Sequence, residues 1–143
     1  MPATKTHDPS QIHATFAGRA LFTGRAEGEF LTTEFLHELY TLKVGADGEV
    51  TRVKSANRTG KIVVKCMQTS DTHKLFTQLY AVSLASVNGS DIAAFEMRDL
   101  NGGLLEHADQ TWISKAPTNG QGADVAEREW ELTCSELVRE VEE

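Results

Sequence analysis

Apolar and polar positions alternate along most of this chain, which is the pattern of strands with one buried face. Ile12, Ala14 and Phe16 fall on one side of a first such segment, and Phe30–Leu36, rich in aromatic and β-branched residues, reads as a strand starting near Glu29. Gly18, Gly24 and Gly28 mark residues 18–28 as a turn-rich connection. Tyr40–Val44 and Glu49–Ser55 flank Gly45-Ala46-Asp47-Gly48, and Asp-Gly between extended runs predicts a hairpin. A turn at Asn57–Gly60 leads into Lys61–Met67, whose inward face is Ile62, Val64 and Cys66.

The period then changes. Leu75, Leu79, Val82 and Ser86 recur at helical spacing, Phe76, Tyr80 and Leu84 widen the stripe, and Ser70 or Asp71 supplies a cap. Asn88-Gly89 offers a left-handed stop, so a helix is expected over about residues 71–87. Alternation returns in Phe95–Leu100, in Leu104–Ser114 beyond the Asn101-Gly102-Gly103 turn, and in Ala126–Cys134 beyond a loop with Pro117, Asn119, Gly120 and Gly122. The expected fold is mainly β: an antiparallel β-sandwich or barrel with one flanking helix and a long hairpin around residues 40–60. Residues 1–11, polar with Pro2 and Pro9, read as a mobile arm; 12–137 form a single domain; 138–143 read as an acidic tail.

Composition adds one constraint. The 143 residues carry a net charge of −7, which argues against a module that grips nucleic acid by releasing counterions. The charge is uneven: residues 1–70 hold 9 basic and 7 acidic side chains, residues 71–143 hold 5 and 14. In the strand at 126–134, Glu127, Glu129 and Glu131 share one face about 7 Å apart, while Arg128, Trp130, Leu132 and Cys134 share the other. A solvated face explains such a row; a surface kept negative toward a passing polyanion explains it more sharply.

Other chemistry finds little support. Gly60-Lys61 is no phosphate loop, because Ser55 and Ile62 stand where glycine and Ser/Thr are needed. His7, His13, His37, His73 and His107 are scattered without metal-ligand spacing, and no GxSxG elbow is present. Neither catalysis nor a cofactor is expected. Asp47-Gly48-Glu49 lacks the spacing of a calcium loop. The N-terminal residues carry no apolar signal region, and no apolar stretch is long enough for a spanning helix, so no membrane association is expected. In that setting Cys66 and Cys134 read as buried free thiols, and the Asn57-Arg58-Thr59 and Asn88-Gly89-Ser90 sequons as turn chemistry.

Several blocks taken in order resemble a known family. Val44–Arg52, Ala56–Lys61, Gln68-Thr69-Ser70 before the helix, Arg98-Asp99-Leu100, Trp112-Ile113 and Ala126–Trp130 are similar, in sequence order and spacing, to tail tube proteins of contractile-tailed bacteriophages. Their fold is shared by the inner tubes of tailocins and type VI secretion systems. The resemblance spans about Ile12 to Leu137. It implies a structural protein of the virion tail, assembled in the host bacterial cytoplasm, in which six-membered rings stack into a tube that DNA crosses during ejection without specific binding. The implied partners are other copies of the chain, the sheath, the tape measure protein, the baseplate and the tail terminator. If each subunit gives four strands to the inner barrel, about twenty-four strands at about 4.8 Å spacing and near 40° tilt close a ring roughly 50 Å across. That width passes duplex DNA.

Two sets of residues then acquire expected roles. Glu27, Glu29, Glu34, Glu127, Glu129 and Glu131 are candidates for the lumen. The hairpin, with Asp47, Gly48, Glu49, Arg52, Lys54, Arg58 and Lys61, is a candidate for ring-to-ring stacking against the acidic half of the next ring. A single-ring component such as a terminator or baseplate hub is the first alternative. A small intracellular enzyme or ligand-binding β domain is the second.

Overall fold

The computed structural model describes residues 3–20 and 29–141. A 3-10 turn, Pro9–Gln11, is capped by Asp8, whose carboxylate accepts the Ser10 amide at 3.0 Å. There follow β1 (Ile12–Phe16), β2 (Arg19–Ala20), β3 (Leu31–Phe35), β4 (Tyr40–Val44), β5 (Val50–Lys54), β6 (Gly60–Met67), α1 (Asp71–Ala85), β7 (Ala93–Asp99), β8 (Leu104–Lys115), β9 (Glu127–Cys134) and β10 (Val138–Val141). One antiparallel sheet runs in the order β2-β1-β7-β8-β9-β6-β3, with β10 also on β8, and β4-β5 form a separate two-stranded ribbon. The fold is mainly β with one helix, as the alternation predicts.

The alternation also sorts the core. β6 buries Gly60, Ile62, Val64 and Cys66, and β9 buries Arg128, Trp130, Leu132 and Cys134. The Ser70 hydroxyl accepts the His73 amide at 3.1 Å and starts α1. The helix then sets Phe76 between Phe16 and Trp130, at ring distances of 6.0 and 5.5 Å. Burying such a ring contributes about 1.5–3 kcal/mol. Val82 and Leu84, expected on the apolar stripe, are exposed instead. The buried helix residues, Thr72 and Phe76, both lie in the first half. At 100° per residue Val82 falls about 120° round from Phe76, and Leu84 lies in the last turn. The helix closes on Ser86, two residues before left-handed Asn88 and Gly89.

The segment set apart as an acidic tail contains β10. Cys134 lies opposite Thr111 and Val138 opposite His107, so both strands advance by four residues and the register is unbroken. β9 and β10 are therefore one pairing along β8, interrupted at residues 135–137, where Leu137 turns to donate its amide to the Arg58 carbonyl. Leu137 closes against Gly60. A Cβ at Gly60 would stand 2.8 Å from Leu137 Cβ and 3.0 Å from Cys134 Sγ, so glycine is required here by space.

The sheet curls without closing into a barrel. Glu106 of β8, 2% exposed, accepts a 2.6 Å hydrogen bond from Thr33 of β3, although β9 and β6 lie between those strands in the sheet. Arg139 of β10 completes the cluster, 3.5 Å from the Glu106 carboxylate. Both cysteines are buried free thiols, each pushed up from the ordinary thiol value by burial.

Candidate assembly surfaces

Three surfaces carry the residues singled out from the sequence. The first is the outward face of β3, β6 and β9. Glu127 and Glu129 are exposed and Glu131 is partly so, all on the side away from Trp130 and Leu132. Glu34 lies outward on β3, opposite Lys61. Glu29, just before β3, accepts a long 3.5 Å hydrogen bond from Thr32. Glu27 lies outside the described residues.

This face is not uniformly acidic. Lys61 and Lys65 stand on β6 between the two acidic strands: Lys65 is opposite Glu129, and Lys61 pairs with Glu131 at 3.1 Å. The hydrogen bond that Lys61 donates to Glu131 holds its ammonium above the ordinary value. Lys61 thus belongs to the sheet, apart from the hairpin with which sequence order groups it. On β8 Lys115 lies opposite Glu131 beside the same row, so five described carboxylates against three ammonium groups leave the face negative.

The second surface is the β4-β5 ribbon. Its register pairs Tyr40 with Lys54, Leu42 with Arg52 and Val44 with Val50, which puts these six on one side. The Arg52 guanidinium lies 4.3 Å from the Tyr40 ring centre. Gly45 donates to the Glu49 carbonyl at 2.8 Å, leaving a three-residue turn in which Gly48 takes the left-handed conformation at φ 87°. Asp47 braces the turn by accepting the Glu49 amide at 3.1 Å. Among the described residues no other element covers the ribbon: Leu42 is 69% and Val44 66% exposed.

At the ribbon's root lies an open groove lined by Phe35, Leu39, Arg58, Glu136 and Val138. Arg58, grouped with the hairpin by sequence, belongs to this root. Its guanidinium donates to the carbonyls of Ser55 at 2.7 Å and Asn57 at 3.1 Å. The groove joins segments some eighty residues apart and leaves no local mark in the sequence.

The third surface is the junction of α1 with the loop 116–126. Arg128, 4% exposed, donates to Gln68 at 2.8 Å, the Gly120 carbonyl at 2.8 Å and Asn119 at 3.2 Å. All its partners among the described residues are neutral. Beside it the Trp130 indole donates to His73 Nδ1 at 3.1 Å, which requires a neutral imidazole. Burial, with the Arg128 charge behind it, holds His73 below its ordinary value. Among the described residues no three His, Cys, Asp or Glu side chains converge as a metal would need.

Every described candidate residue is thus placed on an outer surface or in a strut that holds one, an arrangement suited to assembly. Comparison with known proteins agrees. A relative from Pseudomonas phage KPP10, described as structural protein ORF10, is 27% identical over 137 residues, covering 92% of this chain and 79% of the relative. The fold is similar to the tube-terminating cap of the anti-feeding prophage, at TM-score 0.62 and 7% identity over 99% of this chain and 95% of that one. It is also similar to a chain of the sheath-tube complex of the extracellular contractile injection system PVC, at 0.61 and 8% over 94% and 91%, and to one of that system's sheath/tube terminator, at 0.62 and 9% over 98% and 100%. The family described as Bacteriophage PhiTE tail tube protein matches residues 8–141. The chain belongs to that tail tube family and is a structural protein of a phage tail, not an enzyme.

Proposed function

We propose that the chain is the repeating subunit of the inner tube of a contractile tail, with six copies per ring and rings stacked head to tail. The observation that carries this reading is the tail-tube family match across residues 8–141, on a fold shared with tube and terminator chains of contractile injection systems. In the assembled virion the sheath surrounds the tube, the tape measure protein occupies it, and baseplate and terminator close its ends. Assembly takes place in the host cytoplasm. The face bearing Glu29, Glu34, Glu127, Glu129 and Glu131, together with Glu27, lines the channel. Its negative excess repels DNA phosphate and favours transit over binding. A structure of the assembled form with these six residues on the sheath-facing exterior would refute the lumen assignment.

The β4-β5 ribbon is the stacking element, a heterologous contact that builds open filaments. Negative-stain microscopy of purified protein tests the reading: stacked tubes support it. Arg52→Glu with Arg58→Glu should then leave folded subunits and no long tubes. The terminator likeness, equal in TM-score to the cap likeness, supports a second reading, a component that forms one ring and stops. Single rings in the same micrographs would select it.

A further inference from the structure

Two surfaces left open among the described residues carry complementary chemistry. The groove at the ribbon root, about 530 Å³, is of the size of clefts that hold a drug-sized ligand, and hence of several side chains. Its walls are mainly apolar, with Phe35, Leu39 and Val138. Arg58 makes no ion pair among the described residues, whereas Arg139 is already committed to Glu106. Glu136 stands on the rim. The ribbon tip is the complement: an exposed Val44–Val50 pair, carboxylates on Asp47 and Glu49, and Lys43 one residue before Val44.

The two surfaces cannot meet within one chain. Five residues at about 3.3 Å each put the tip about 17 Å from its own root. A two-stranded ribbon with no covering layer is also marginal by itself, so a surface that takes its apolar pair stabilises it.

We propose that the groove receives the ribbon tip of a second copy of the chain. Val44 and Val50 cover Phe35, Leu39 and Val138; Asp47 and Glu49 face Arg58; Lys43 answers Glu136. The contact is tip to root, leaves each joined pair with one free tip and one free groove, and so propagates. It rests on the tube reading for its setting and names the receptor which that reading leaves open.

Ala46→Cys at the tip and Asn57→Cys beside the groove test it, because Cys66 and Cys134 are buried and do not compete. The two single variants are mixed, oxidised mildly and run on a non-reducing gel, with micrographs of the same samples. The expected result is a covalent tip-to-groove dimer in the mixture, absent from either variant alone, and a ladder from the double variant. Adding Asp47→Lys and Glu49→Lys should cut that dimer at least tenfold, and Arg58→Glu on the groove partner should restore it. Tubes without the cross-link overturn the groove proposal and leave the tube reading standing. The cross-link without tubes does the reverse. Absence of both overturns the two together.

Discussion

The sheet body and the β4-β5 ribbon are built from the same alternating pattern, yet only the body has somewhere to put its apolar face. β6 and β9 alternate, and each inward residue is buried. β4 and β5 alternate too, and Leu42, Val44 and Val50 end in solvent. Alternation reports pairing. It does not report whether the covering layer belongs to the same molecule. In the body that layer is α1 with Phe76; over the ribbon no described element supplies one.

Substitutions should separate the two regions by what they damage. Phe76→Ala removes the ring between Phe16 and Trp130 and should cost about 3–5 kcal/mol in denaturant unfolding. Gly60→Ala forces a methyl group into Leu137 and Cys134 and should cost about 1–3 kcal/mol, with the β9-β10 junction losing amide-exchange protection first. A smaller effect follows from His73. Its folded value is held below the ordinary imidazole value of about 6.5, so the stability it contributes is complete above that pH and is lost as pH falls from there through the lower folded value. Unfolding midpoints of wild type and His73→Gln, compared between pH 7.5 and 5.5, should show a fall in the wild type that the variant lacks. Smallest of all, Leu42→Ser with Val44→Ser should change stability by no more than about 0.5 kcal/mol while removing tubes from micrographs. A ribbon variant that unfolds the protein would erase the distinction between the two regions.

How much could be read from the chain follows the same division. β6, the Ser70 cap and the Asp47-Gly48 turn are local, written in residues next to one another, and they stand where the pattern puts them. β10 escaped because Val138-Arg139-Glu140-Val141 has too few apolar residues to announce a strand; its pairing is inherited from β9 through β8. The Glu106-Thr33-Arg139 cluster joins three strands far apart in sequence. The acidic row on β9 was legible as a row, but not the lysines of β6 that partly neutralise it, since cross-strand neighbours depend on sheet order. The root groove has no local signature at all, and neither has the separation of Lys61 from the hairpin.

The neutral partners of Arg128 have a consequence for the medium in which the protein works. Its guanidinium is buried and tied to amide and carbonyl oxygens, and among the described residues it pairs with no opposite charge across which dissolved ions could intervene. The Lys61–Glu131 pair, with side chains 31% and 25% exposed, sits within reach of a Debye layer of about 8 Å at physiological ionic strength. Lowering the ionic strength around the protein therefore changes the potential of the carboxylate face and leaves the strut behind the 116–126 loop untouched. The same subunit carries one surface that responds to dilution and one that ignores it.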